Sequence, residues 1–264
     1  MNEESQPVVA ERSGDGGQVL WITLNRPEAR NALTWEMYDL LEESLLGAAI
    51  DDSVRCLVIT GAGGSFVAGT DIAQFRHLRS EQDALEYERH GDRLFTTVET
   101  VGKPVIAAID GPCIGTGFGL AACCDLRIGT KRSRYDLPIA RTLGNCLTTA
   151  SQTRLTALLG PARLKELVFL ARLYSAEEAE RFGFLNQVVD EPEALRDEVD
   201  ALAAELAGNA PLTLWATKEA IRRITYGLRP AESADIVSRV YTSDDFREGV
   251  EAFISKRSPR WTGH

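Results

Sequence analysis

Apolar and polar positions alternate between two periods along the first half of this chain. Val19 to Leu24 is a β-rich run closed by the turn Asn25-Arg26-Pro27. Thr34 then caps a predicted helix reaching about Ile50, with Met37, Leu40, Leu41, Leu45 and Ala48 on its apolar face. Cys56 to Thr60 predicts a second strand, followed by the loop GAGGSFVAGTD. Residues 82–100 predict a helix with Leu85, Leu94 and Val98 inward. The strand Val105 to Ile109 follows, then a glycine-rich turn, a small-residue helix and the short strand Leu126 to Ile128. Alternating strands and helices predict a parallel sheet with helices packed on it.

Beyond about residue 148 the pattern turns helical. Ser175-Ala176-Glu177-Glu178 reads as a capping box opening a short helix. Leu185 to Val189 is one late strand, and helices are expected over Leu195 to Leu206, Pro211 to Ile224, Ser233 to about Val240, and Phe246 to Lys256. The division this implies is a frayed start at residues 1–17, an α/β core at 18–190 and a helical region at 191–264. No repeat and no linker composition is visible.

The segment IAAIDGPCIGTGFGLAACCD, Ile106 to Asp125, carries the most chemistry. Gly115, Gly117 and Gly119 strip the helix start of side chains, so its backbone N–H groups face outward. Such groups stabilise a phosphate, or an oxygen that becomes anionic during a reaction. A dinucleotide fingerprint fits poorly, although Asp136 lies ~20 residues on. The third glycine comes two positions after the second, Leu120 stands where the fingerprint needs it, and the strand does not open the first βαβ unit. No Gly-Lys-Ser/Thr follows, so the turn is not a P-loop.

Composition narrows the classes further. The chain has 264 residues, 44% of them apolar and 26% charged, as in an ordinary globular protein. A net charge of -10 argues against a nucleic-acid groove or a polybasic membrane surface. The longest apolar stretch, Val105 to Cys124, contains Asp110, Pro112 and four glycines and is not a membrane span. Cys56, Cys113, Cys123, Cys124 and Cys146 match no zinc spacing and predict no metal site. Four of them read as buried small residues, which suits a reducing, cytoplasmic compartment. The acidic, polar N-terminus carries no signal-peptide pattern.

The motifs NRPEARNAL (25–33), GAGGSFVAGTDI (61–72) and KPVIAAIDGPCIGTGFGLAACCDLRI (103–128) resemble the crotonase, or enoyl-CoA hydratase/isomerase, family. YSAEEAERFGFLNQVV (174–189), APLTLWATKEAI (210–221) and DDFREGVEAFISKRSPRW (244–261) are similar too, so the resemblance covers about residues 18–261. It implies a crotonase-like spiral of ββα turns with a helical C-terminal trimerisation region, and a homotrimer or dimer of trimers. It also implies an acyl-CoA thioester as substrate, no separate cofactor, and an oxyanion hole that stabilises an enolate. The hole's donors would be the backbone N–H groups of Thr70 and Thr116. The CoA-binding positions would be Ala29, Arg30, Ala68, Asp71, Ile72 and Lys256.

The resemblance breaks at two positions. A hydratase of this family moves protons with two glutamates. Here those positions are Gly119 and Ile139, and neither side chain titrates. Substitutes expected from the sequence are Arg141, Asn145, Asp136 and His90. Arg141 could bind a carboxylate on the acyl group, which would suit a decarboxylation. Cys146, after Gly144-Asn145, is either a thiol nucleophile or a buried structural residue. The resulting expectation is an acyl-CoA lyase or isomerase stabilising an enolate. Two alternatives stand beside it: a hydratase with relocated acid/base groups, or a CoA-binding protein without catalysis.

Overall fold

The computed structural model describes residues 6–209, 211–227, 242 and 244–257. The helix expected over Ser233 to Val240 lies outside these residues.

Six strands form the main sheet: β1 (Val8–Ser13), β2 (Val19–Leu24), β3 (Cys56–Gly61), β4 (Val105–Ile109), β6 (Leu126–Thr130) and β9 (Gln187–Val189), in the order β1-β2-β3-β4-β6-β9. Only the β1–β2 pair is antiparallel. The expectation of a frayed start at residues 1–17 is corrected by β1, which pairs from Val8 opposite Leu24 to Ser13 opposite Val19. Its sequence VVAERS was hard to read because only Val8 is buried, as suits an edge strand with one solvated face. A second sheet joins β5 (Pro112–Ile114), β7 (Arg134–Asp136) and β8 (Tyr174–Ser175). These strands are two or three residues long, too short to show a period in the sequence.

The central strands are apolar on both faces because both are covered. Successive side chains of a strand point to opposite faces. Leu57 and Ile59 of β3 therefore join one core with Met37, Leu41 and Leu45 of α1 (Trp35–Ile50), and with Leu94 and Val98 of α2 (Glu81–Thr100). Phe118 and Leu120 of α3 (Thr116–Cys123) complete that side. Cys56 and Val58 face the other way, against Leu195, Val199 and Ala203 of α7 (Pro192–Gly208). The boundary expected near residue 190 therefore runs through one continuous core. Helices α4 (Ile139–Thr142), α5 (Thr149–Leu170), α6 (Ala176–Arg181), α8 (Pro211–Tyr226) and α9 (Asp244–Ile254) complete the described elements. No helix among the described residues is long and apolar enough to cross a membrane. Cys56, Cys113, Cys123 and Cys124 are buried free thiols, as expected.

Caps set the helix starts where the sequence places them. Thr34 accepts from Met37 N at α1, and Ser175 and Glu178 form a reciprocal capping box at α6. The NRPEARNAL segment folds around Asn31, which is fully buried with φ 55°. Its Nδ2 donates to the carbonyls of Ala62 (2.9 Å) and Ser65 (2.6 Å), and its Oδ1 accepts from Arg26 N (2.8 Å). One side chain thus clamps the turn after β2 to the loop after β3. Replacing Asn31 with Ala strands these buried groups, and urea unfolding should show a loss of about 3 kcal/mol.

Candidate active site

Backbone ladders hold the loop after β3 on two sides. Val67 N donates to Pro112 O (3.1 Å) and Ile114 N to Val67 O (2.9 Å), tying the loop to β5. Leu33 N donates to Gly69 O and Asp71 N to Leu33 O, both at 2.9 Å, tying it to the NRPEARNAL segment. Gly117 permits this approach, because a Cβ there would stand 2.3 Å from Val67 O.

The ladders bring Thr70 and Thr116 together, with their hydroxyls 2.7 Å apart. Tyr38 OH lies 3.1 Å and Tyr87 OH 3.3 Å from Thr70 Oγ1. Burial pushes the Tyr38 phenol up to about 12 and Tyr87 well above its usual range, so both stay protonated. Among the described residues neither the Thr70 nor the Thr116 N–H has an acceptor. Thr116 is the first residue of α3, where an N–H has no intrahelical partner. Two backbone donors on neighbouring residues can hold an oxygen that gains charge.

Both threonines line a cavity of about 760 Å³. Ala29, Arg30, Ala68, Asp71 and Ile72 line it too, so five of the six positions expected to meet CoA share one wall. Lys256 is exposed near the end of the described chain and is not among the lining residues. Arg26 and Arg134, which sequence reasoning missed, add cationic side chains to the lining. Arg26 pairs with Asp71 at 2.8 Å.

The expected substitutes for the glutamates separate into two groups. Asn145 and Cys146 line the cavity. Burial pushes the Cys146 thiol up to about 12, helped by the nearby Glu88 charge, which argues against a thiolate nucleophile. Arg141, Asp136 and His90 are not in the lining, contrary to expectation. Arg141 is 62% exposed and its Nη2 reaches Asp136 Oδ2 at 3.4 Å. Asp136 is buried, and burial raises its pKa against the pull of Arg141. Its backbone carbonyl, not its carboxylate, serves the site by accepting from Gly115 N at 2.9 Å. His90 Nε2 lies 3.0 Å from Asp39 on α1, with its ring 4.8 Å from that of Trp35. The helix carrying His90 turns that residue toward α1 and other residues toward the cavity.

Those other residues are Tyr87, Glu88, Gly91, Asp92 and Phe95 of α2. The signal for them was present, since Glu88, Asp92 and Phe95 are spaced i, i+4, i+7 along one helix stripe. The apolar residues Leu94 and Val98, on a different stripe, masked it. Phe95 also accounts for the glycine at position 119: a Cβ there would lie 3.0 Å from the Phe95 ring. Ile139 is in the lining as an apolar group.

This fold and arrangement have close counterparts. The sequence profile of the enoyl-CoA hydratase/isomerase family matches residues 14–264. Crotonyl-CoA hydratase of Syntrophomonas wolfei is 35% identical over 240 residues, 89% of this chain and 91% of the relative. The 1,2-epoxyphenylacetyl-CoA isomerase of Escherichia coli is 34% identical over 252 residues, 93% and 95% of the two chains. A solved methylmalonyl-CoA decarboxylase in complex with 2-nitronate-propionyl-CoA superposes with a TM-score of 0.87 at 28% identity, covering 98% of this chain and 99% of that one. The protein belongs to the enoyl-CoA hydratase/isomerase, or crotonase, family and has its fold. It is an enzyme of a family whose members include hydratases, isomerases, dehydratases and decarboxylases.

Restoring a glutamate at position 119 should be costly on its own. Gly119→Glu forces the side chain into the Phe95 ring and should lower stability by about 1–3 kcal/mol. Adding Phe95→Ala should recover part of that loss in a thermal unfolding comparison. Equal melting temperatures for the wild type and Gly119→Glu would show that the ring is not what closes the position.

Proposed function

We propose that this protein acts on an acyl-CoA thioester and moves protons next to its carbonyl, through an enolate held by the N–H groups of Thr70 and Thr116. The observation that carries this reading is the pair of unengaged backbone donors at the junction of the two tied loops, inside the cavity. An enolate oxygen is anionic where the ground-state carbonyl is not, so fixed donors there favour the transition state over the substrate. The thioester would enter along Ala29, Arg30, Ala68, Asp71 and Ile72. Arg26, Arg30 and Arg134 would meet the phosphates of CoA. This chemistry needs no cofactor beyond the thioester.

Isomerisation or hydration fits better than decarboxylation. A carboxylate on the acyl group would need a cation besides Arg26, Arg30 and Arg134, which this reading assigns to the CoA phosphates, and Arg141 is outside the lining. Arg154 lines the cavity, but Glu99 engages it at 2.7 and 3.1 Å. The carboxylates of Glu88 and Asp92 on the same wall add repulsion for an anionic acyl group.

We read the exposed apolar residues Phe169, Leu170 and Leu173 as part of the contact in a homotrimer or dimer of trimers. Leu173 and Phe253 also line the cavity, so such a contact would help to close it.

Two substitutions at one position test the donor assignment. Thr116→Pro removes the N–H where proline is compatible with a helix start, and should cut turnover by about 10²–10³-fold. Thr116→Val keeps the N–H and loses only the hydroxyl, so it should retain most of the turnover. The readout is deuterium uptake into butyryl-CoA, and gain of water by crotonyl-CoA, in heavy water by mass spectrometry. Full turnover in Thr116→Pro would rule out the backbone donor.

A further inference from the structure

The cavity has three acidic side chains among its lining residues: Asp71, Glu88 and Asp92. Asp71 is tied to Arg26 and also caps a 3-10 turn by accepting from Ala73 N at 3.0 Å. Asp92 is held differently. Its Oδ1 accepts from Thr148 Oγ1 at 3.1 Å and from Ser151 Oγ at 3.5 Å, both at the start of α5. Its Oδ2 has no partner among the described residues. One oxygen is therefore anchored and the other is left for the cavity, which is the geometry a proton-transfer group needs. Phe95, one turn further along α2, packs over Gly119 of α3, so α2 and α3 come close beside Asp92.

The geometry points to Asp92 as the catalytic acid/base, a role that rests on the enolate reading above. Its Oδ2 takes a proton from the carbon next to the thioester carbonyl, or from the γ carbon of a 2-enoyl chain. The C–H electron pair flows into the enolate, or dienolate, whose oxygen is held by the N–H groups of Thr70 and Thr116. The protonated carboxyl exchanges its proton with solvent water or keeps it, and then delivers the proton or deuteron it carries to the α or γ carbon. The carboxylate ends as it began, and no other reactant is consumed. The outcome is exchange with solvent or migration of a double bond.

The surroundings of Asp92 suit this cycle. Burial raises its pKa, and the Arg154 charge, Thr148 and Ser151 from α5 partly oppose that rise. Glu99 on its own helix adds to it. Cys123 on α3 also faces this group and stays a thiol, since burial pushes its pKa well up. Glu88 lies one turn earlier on α2. A raised pKa makes the protonated form easier to reach than for an ordinary carboxylate, and exchange should rise with pH as Asp92 ionises.

The test follows deuterium uptake into butyryl-CoA and double-bond migration in 3-hexenoyl-CoA, both in heavy water. Butyryl-CoA affinity is measured by calorimetry on the same samples. Asp92→Asn keeps the hydrogen bonds to α5 and should lose about 10²–10⁴-fold in exchange while binding the thioester as the wild type does. Asp92→Glu should recover part of the loss. Exchange at the wild-type rate in folded Asp92→Asn, or loss of exchange in Glu88→Gln alone, overturns the assignment and leaves the enolate reading standing. Absence of exchange in the wild type, with binding intact, overturns both. Should Asp92→Asn fail to fold, the wild-type pH profile decides: a rise through an inflection above the ordinary carboxylate range supports Asp92, and a flat profile overturns it.

Discussion

Hydrogen bonds between backbones fix the segment from Val67 to Asp71, and the site is built outward from it. Val67 is bound to β5 on one side, while Gly69 and Asp71 are bound to Leu33 on the other. The loop is therefore paired like a short strand while keeping the N–H of Thr70 unspent. The helix start at Thr116 leaves its N–H unspent for a different reason, namely that the first turn of any helix has no acceptor behind it. Two independent causes thus place two donors side by side. Neither depends on side-chain identity, so threonine at both positions is compatible with the arrangement.

Side chains instead decide how the donors are surrounded. Asn31 closes the wall from behind by bridging the turn after β2 to the loop after β3. Tyr38 and Tyr87 bring phenols to the two threonine hydroxyls from α1 and α2. Buried in this way, they remain neutral donors or acceptors and add no charge to compete with a developing oxyanion. The charged groups that share the cavity are arginines at positions 26, 30, 134 and 154, Asp71, and the carboxylates of Glu88 and Asp92 on α2.

Gly119 and Phe95 pack against each other where α3 meets α2. With no side chain on α3 at this position, the Phe95 ring of α2 fills the space. That packing turns the stripe bearing Glu88 and Asp92 toward the cavity.

Much of this was legible in the residues. The alternation of apolar runs gave β2, β3, β4 and β6, and the helices between them, because a parallel sheet covered on both faces needs uniformly apolar strands. The glycines at 115, 117 and 119 announced a bare helix start. Three things were not legible. Strand β1 has only one buried residue, and the strands of the small sheet are too short to show a period. Which face of α2 meets the cavity is set by its packing against its neighbours, so the sequence alone offered His90 from this helix and did not single out Asp92. Arg141 and Asp136 are close to the site in sequence, yet the turn of α4 and the burial of β7 direct them to each other. The sequence by itself determined the unspent N–H of Thr116, because a helix start follows from rules that act over a few residues, whereas that of Thr70 depends on pairing with Leu33 and β5 far away in the chain. Only tertiary packing decided which titratable side chains share the cavity with them, because that depends on contacts between helices far apart in the chain.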